Sequence, residues 1–191
     1  TLPTASSALS PTQAPVSLLQ PTSPLGAWLF LTMSFGAFSI MFGLQGPASA
    51  HATACASSGH AISDAVEYLR TGKADVMIAG GAEAAVSPLC VGAFMTMTAL
   101  STRNDAPTKA SRPFDKDRDG FVLAEGAGMY VLETEEHARK RGATILAEIV
   151  GHANASDASH ITAHDPAGGG ARRSMRWALK DAGLNPEQIG Y

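Results

Sequence analysis

The spacing of apolar positions changes several times between Gly46 and Tyr191, and each change predicts an element. After Gly46-Pro47, the stretch ASAHATA (48–54) predicts a short buried strand. In SSGHAISDAVEYLRTG, Ala61, Ile62, Ala65, Val66 and Leu69 recur at helical spacing, and Gly72 supplies the stop. Cys55 therefore falls at a strand-to-helix turn. ADVMIAGGAEA (74–84) is an apolar run bounded by glycine, the mark of a strand buried on both faces of a mostly parallel sheet. SPLCVGAFMTMTAL (87–100) opens on Ser87-Pro88 and predicts a helix. A long polar loop, STRNDAPTKASRPFDKDRDG (101–120), follows.

GFVLAEGAGMYVLE (120–133) predicts two short strands around Gly126 and Gly128. TEEHARKRG is a helix with acids first and bases last, as the macrodipole favours. ATILAEIVGHA (143–153) predicts another strand, and GGGARRSMRWALKDAGL (168–184) a helix ended by Gly183. Strands alternating with helices argue for an α/β fold.

Composition narrows the function. At 191 residues the chain is long enough for one sizeable core, since single cores stop growing only at about 250–300 residues. A net charge of −3 gives no reason to expect nucleic acid or an acidic membrane as partner. Two cysteines, Cys55 and Cys90, make neither a disulfide scaffold nor a four-ligand zinc site. No charged residue precedes Asp64, and residues 1–23 are rich in Pro, Ser and Thr. The uncharged stretch 25–44 has the length of a membrane span, but it lacks basic flanks and runs on into small-residue sequence. A signal peptide would need a positive n-region, which is missing. The opening on Thr1 leads us to expect a piece of something longer.

Residues 52–60 read ATACASSGH. A cysteine attacks as its thiolate, which the first turn of a helix favours. The small residues around Cys55 leave room for a carbonyl, and backbone amides at such a turn can hold an oxyanion. On spacing alone two readings stay open: a nucleophile, or a small residue filling a tight corner.

The blocks GPASAHATACASSGHAISDA, ADVMIAGGAEAAVSPL and ALSTRNDAPTKASRPFDKDRDGFVLAEGAGMYVLE resemble the β-ketoacyl-acyl-carrier-protein synthases, especially the bacterial and organellar long-chain type. The resemblance runs from about Met33 to Tyr191. It implies a thiolase-like fold, present in part: most of the N-terminal half after a missing start, plus the beginning of the C-terminal half. In the whole family fold each half is a five-stranded sheet covered by helices. The segments expected are a divergent Pro/Ser/Thr-rich stretch at 1–23, the remainder of the N-terminal half at 24–142, and the start of the C-terminal half at 143–191. The resemblance further implies that Cys55, in Thr53-Ala54-Cys55, accepts an acyl chain from acyl-carrier protein. Malonyl-carrier protein then condenses with it to a 3-oxoacyl product. It implies a homodimer in the complete enzyme, no cofactor or metal, and a cytoplasmic setting, with mitochondrion or plastid as the alternative.

Family members complete the triad with two histidines from the second half, the first in an Asn-Ala-His-Gly-Thr motif. That motif is expected where GLNPEQIGY ends the sequence, so neither histidine is expected here. His51 and His60 are expected to point away from Cys55, and His137 to be a solvated helix residue. His152 and His164 match no catalytic position. SDASHITA (156–163) resembles the family's mobile active-site loop, with Asp157, His160 and Thr162 matching its pattern. Phe94 matches an aromatic lining the acyl pocket, although core packing explains it equally well. The basic residue usual near Thr98 is missing, and Ala48 stands where Asn is common.

Asp115, Asp117, Asp119 and Gly120 imitate half of a calcium loop, but Gly126 replaces its final acid. Asn154-Ala155-Ser156 is read as a chance glycosylation match, and Gly168–Gly170 as a flexible lead into a helix. Two alternatives stand beside the synthase: a thiolase acting on coenzyme A esters, and a non-catalytic or partner-dependent subunit. The 191-residue chain alone is expected to release no 3-oxoacyl product from acyl and malonyl thioesters. Chromatographic detection of product above the enzyme-free blank would overturn this.

Overall fold

Helix boundaries in this chain are set by side-chain caps and left-handed residues. The structure, a computed structural model, describes residues 36–191. The segment 1–23 and the start of the apolar stretch 25–44 lie outside the described residues. Among the described residues no helix is long and apolar enough to cross a membrane.

Two compact units divide between Ala50 and His51. In the first, residues 36–42 are helical (α1). Phe38 and Phe42, one turn apart, bring their ring centroids to 4.6 Å. Gly43 turns left-handed to end the helix.

The second unit opens with a 3-10 turn at Ala54–Ala56 that feeds α2, Ser57–Arg70. Helix α2 packs against β1, Val76–Ala84, and buries Ser63, Ala65, Val66 and Leu69, as the apolar spacing predicts. Gly72 turns left-handed, Gly72 N donates to Leu69 O and Lys73 N to Tyr68 O, closing a Schellman motif. Helix α3, Pro88–Thr96, starts where the Ser87 hydroxyl accepts from Cys90 N. It stops short of the predicted 100 because Thr98 goes left-handed. A β-branched residue rarely adopts that backbone.

Strand β1 pairs with β2, Glu125–Glu133, from Val76 opposite Glu133 to Ala84 opposite Glu125. This pairing is antiparallel, and only Ala79 of β1 is buried, so the expectation of a doubly buried strand in a parallel sheet is corrected. Residues 120–133 form one strand instead of two, Phe121 making only an isolated bridge to Leu100. Neither 48–54 nor 143–153 carries a ladder. A strand exists only through its partner's hydrogen bonds, and these segments are held in other ways. Residues 51–53 run back along α2 through side-chain bonds. Gly151 lies against α5, Gly169–Ala182, so closely that an added Cβ would stand 2.6 Å from Ala182 N.

Polar ties hold these pieces together. Arg70 donates to Asp181 of α5 at 2.8 Å and to Val150 O at 3.0 Å. The same Asp181 accepts from His152 N, while the His152 ring meets Glu67 at 3.0 Å. The hydrogen bond from Arg70 first, then that from His152 N, holds Asp181 below the usual carboxylate range. In the 101–120 loop, Asp119 accepts from the Ser101 hydroxyl at 2.8 Å, Thr102 N at 2.9 Å and Arg112 at 3.1 Å. Gly120 (φ +143) lets Phe121 N reach Ala99 O at 2.7 Å. There an added Cβ would stand 2.5 Å from Leu100 C.

Helix α4, Glu135–Lys140, follows β2 directly, with the Thr134 hydroxyl accepting from His137 N. Glu133, 11% exposed, sits between Arg141 and His137. Their hydrogen bonds, Arg141's foremost, hold its carboxyl at about 2 instead of the ordinary 4.5. A depressed carboxylate stabilises the fold above its unfolded pKa, and that contribution is lost as pH falls through the folded value. The expected outcome is a loss of thermal stability from about pH 4.5 down to about 2, and Glu133→Gln should flatten that part of the profile. Thermal melts of both proteins across the range check it; identical profiles would contradict it.

Candidate active site

Cys55 lies in the 3-10 turn at the head of α2, exposed and unpaired. The residue before it, Ala54, has φ +51. For alanine this left-handed backbone costs roughly 1–2 kcal/mol, so the surroundings must hold it. They do so through Thr53 and Ser57. Ala56 N donates to Thr53 O at 3.1 Å, Thr53 N to the Ser57 hydroxyl at 2.8 Å, and that hydroxyl to Ala54 O at 2.8 Å. The bend directs the chain out of 51–53 and into the helix within a few residues, and Cys55 in it is exposed. Gly81 of β1 lets the first turn of α2 come close: a Cβ there would stand 3.1 Å from Ser58 Cβ and closer still to the Ser58 hydroxyl.

Each of the two nearby histidines has a partner of its own. His51 Nε2 meets Asp64 at 2.7 Å, and His60 Nδ1 meets the Thr53 hydroxyl at 2.7 Å. His137 joins Glu133, and His152 joins Glu67. Cys90, the other thiol, is half-buried in the first turn of α3.

The remaining predicted site residues fall in two places. Phe94, on α3, packs edge-on against Phe121 with centroids 6.3 Å apart. Asp157, His160 and Thr162 share the loop leading to α5. Asp157 accepts from Asp165 N at 3.1 Å and lies against Gly170, where a Cβ would stand 2.9 Å from Asp157 Cγ. Asp165 in turn accepts from Ala167 N at 3.0 Å and Gly169 N at 2.8 Å. Those two bonds hold its carboxyl below the usual range. His160 Nδ1 accepts from Thr162 N at 3.2 Å and Ala163 N at 3.0 Å, which folds the loop tip on itself. Among the described residues, no hydrogen bond joins Cys55 to Phe94, Asp157, His160 or Thr162.

Sequence reasoning missed Thr53, Ser57 and Gly81 as supports of the turn. The two glycines of VMIAGGAEA were the available signal for a close approach. The acids of the imitation calcium loop do not converge. Asp119 turns to Ser101 and Thr102, Asp115 accepts from Asp117 N, and no acid, histidine or cysteine group among the described residues has a metal-holding arrangement.

The chain is similar to known proteins over most of its length. Residues 18–138 match the family model for the Beta-ketoacyl synthase, N-terminal domain, and residues 146–191 that for its C-terminal domain. The chain is 50% identical over 163 residues to the 3-oxoacyl-[acyl-carrier-protein] synthase 2 of Synechocystis sp., covering 85% of this chain and 39% of that protein. It is 52% identical over 161 residues to the Vibrio cholerae counterpart, covering 84% and 39%. A mitochondrial synthase from Arabidopsis thaliana is 48% identical over 164 residues, covering 85% and 36%. Among solved structures, a beta-ketoacyl synthase from Burkholderia phymatum matches with TM-score 0.75 and 46% identity, covering 80% of this chain and 37% of that one. A type II PKS ketosynthase complexed with its acyl-carrier protein matches with TM-score 0.78 and 39% identity, covering 83% and 39%. The chain thus spans about 39% of the length of the first two relatives. These likenesses bear out the partial, thiolase-like α/β fold.

Because the Gly81 contact is with the head of α2, Gly81→Ala is expected to destabilise the protein by about 1–3 kcal/mol through overpacking. Urea unfolding measures it, and an unchanged midpoint would show that Ser58 yields without cost.

Proposed function

The chain belongs to the β-ketoacyl synthase family, and on that premise we propose that it carries the nucleophile of a 3-oxoacyl-[acyl-carrier-protein] synthase, with Cys55 as acyl acceptor. The observation that carries this reading is the exposed Cys55 at the positive end of α2, beside a strained, braced backbone. The Cys55 thiolate attacks the carbonyl of a carrier-bound acyl thioester. A new C–S bond forms as the old one breaks, and the carrier sulfur leaves with the electron pair and takes up the proton Cys55 gave up. Malonyl-carrier protein then loses CO2, and the electron pair left on its α-carbon attacks the acyl-Cys55 carbonyl. A C–C bond forms and Cys55 departs as thiolate. The covalent intermediate divides one difficult condensation into two easier steps.

In this reading Phe94 lines the acyl pocket, and Asp157, His160 and Thr162 belong to a loop that opens for the chain. The domains divide as an N-terminal half at 24–142 and a C-terminal half from 143, and acyl-carrier protein is the partner. The complete enzyme is a homodimer. We assign the cytoplasm as compartment, with mitochondrion or plastid as the alternative, since relatives carry both organellar names.

One observation favours a second reading, a subunit dependent on a partner to complete its fold. Leu89, Leu146 and Ile161 are each more than four-fifths exposed, far from the environment such side chains favour. Incubation with an acyl-carrier-protein thioester, followed by peptide mass spectrometry, tests the main proposal. Acyl mass is expected on the Cys55 peptide in preference to Cys90, and is expected to vanish in Cys55→Ala. Equal labelling of the two cysteines would overturn it, and a preference for coenzyme A esters would favour a thiolase.

A further inference from the structure

Thr53 has three polar groups, and all are committed to the turn or to the start of α2. Its N–H donates to the Ser57 hydroxyl, its carbonyl accepts from Ala56 N, and its hydroxyl shares a 2.7 Å hydrogen bond with His60 Nδ1. Upstream, His51 and Asp64 make a parallel tie one turn further along the helix. The first two bonds run between neighbours within the bend. The Thr53–His60 bond instead reaches across it, from the strained side to the regular helix. Between them lie Ala54, at φ +51, and Cys55.

We propose that Thr53 and His60 are positioning residues whose shared hydrogen bond fixes the direction in which Cys55 presents its thiol to an acyl carbonyl. The inference rests on the reading of Cys55 as acyl acceptor. Thr53 is exposed and His60 only half-buried, so their bond adds little to global stability. Its effect is local. Without it, the backbone and Ser57 bonds still hold Ala54 left-handed, but the bend loses its tie to the regular helix, and a small rotation there swings the next side chain out of line. Transfer from a thioester demands alignment of sulfur and carbonyl, whereas alkylation by a small reagent demands much less.

Two rates on the full 191-residue chain separate these effects: acylation of Cys55 by octanoyl-acyl-carrier protein and its alkylation by iodoacetamide, with Cys90 alkylation as the internal reference for folding. Thr53→Val and His60→Leu are each expected to slow Cys55 acylation about three- to tenfold, the range one hydrogen bond supports, with Cys55 alkylation much less changed. The double variant should lose no more than either single one, because one bond is removed in each. Thr53→Ser and His60→Asn, which keep a hydrogen-bonding atom in place, should restore most of the rate. Unchanged acylation in both single variants, losses that add, or no rescue would overturn the inference. Should Thr53→Val also disturb Cys90, Thr53→Ala against Thr53→Ser decides by the same criterion. If the unaltered chain acylates Cys55 no faster than Cys90, the acyl-acceptor reading itself fails, a result distinct from loss of the Thr53–His60 effect.

Discussion

The site depends on an alanine held where alanine does not rest. Ala54 occupies a left-handed backbone with no glycine to make it cheap, and the bend at Cys55 persists only because the bonds of Thr53 and Ser57 offset that cost. The strained Ala54 and the exposed thiol of Cys55 occupy adjacent residues.

A helix held at one end only would pivot. At its other end Arg70 and Glu67 bind α2 to α5 and to the segment 150–152. Helix α2 is thus clamped at its start by close approach to Gly81 of β1, and at its end by charged groups. These are different kinds of contact with different sensitivities. The first responds to volume, as at Gly81, and the second to ionisation, as at Asp181. The small apolar core leaves much of the positioning to these two clamps.

Much of the helical framework was legible. The spacing of Ala61, Ile62, Ala65, Val66 and Leu69 gave the register of α2, Gly72 its end, and Ser87-Pro88 the start of α3. Cys55 stands out because small residues and a helix start coincide there, and because ordered blocks around it resemble a family. Three things were not legible. Ala54 and Thr98 carry no mark of a left-handed backbone, which a glycine would have shown. The antiparallel pairing of 76–84 with 125–133 joins segments with a whole helix and a long loop between them, and apolar runs do not name their partners. Residues 143–153 have the composition of a strand, but the pattern records what a face would bury and not whether a ladder forms.

The base of the 101–120 loop is zipped shut. Ala99 to Ser101 meet Phe121 through backbone bonds, and Asp119 fastens Ser101 and Thr102 from inside. Everything between Arg103 and Arg118 therefore hangs from a closed neck, and its length is decoupled from the register of β2. A change at Gly120 or Asp119 is therefore felt on both sides of the neck.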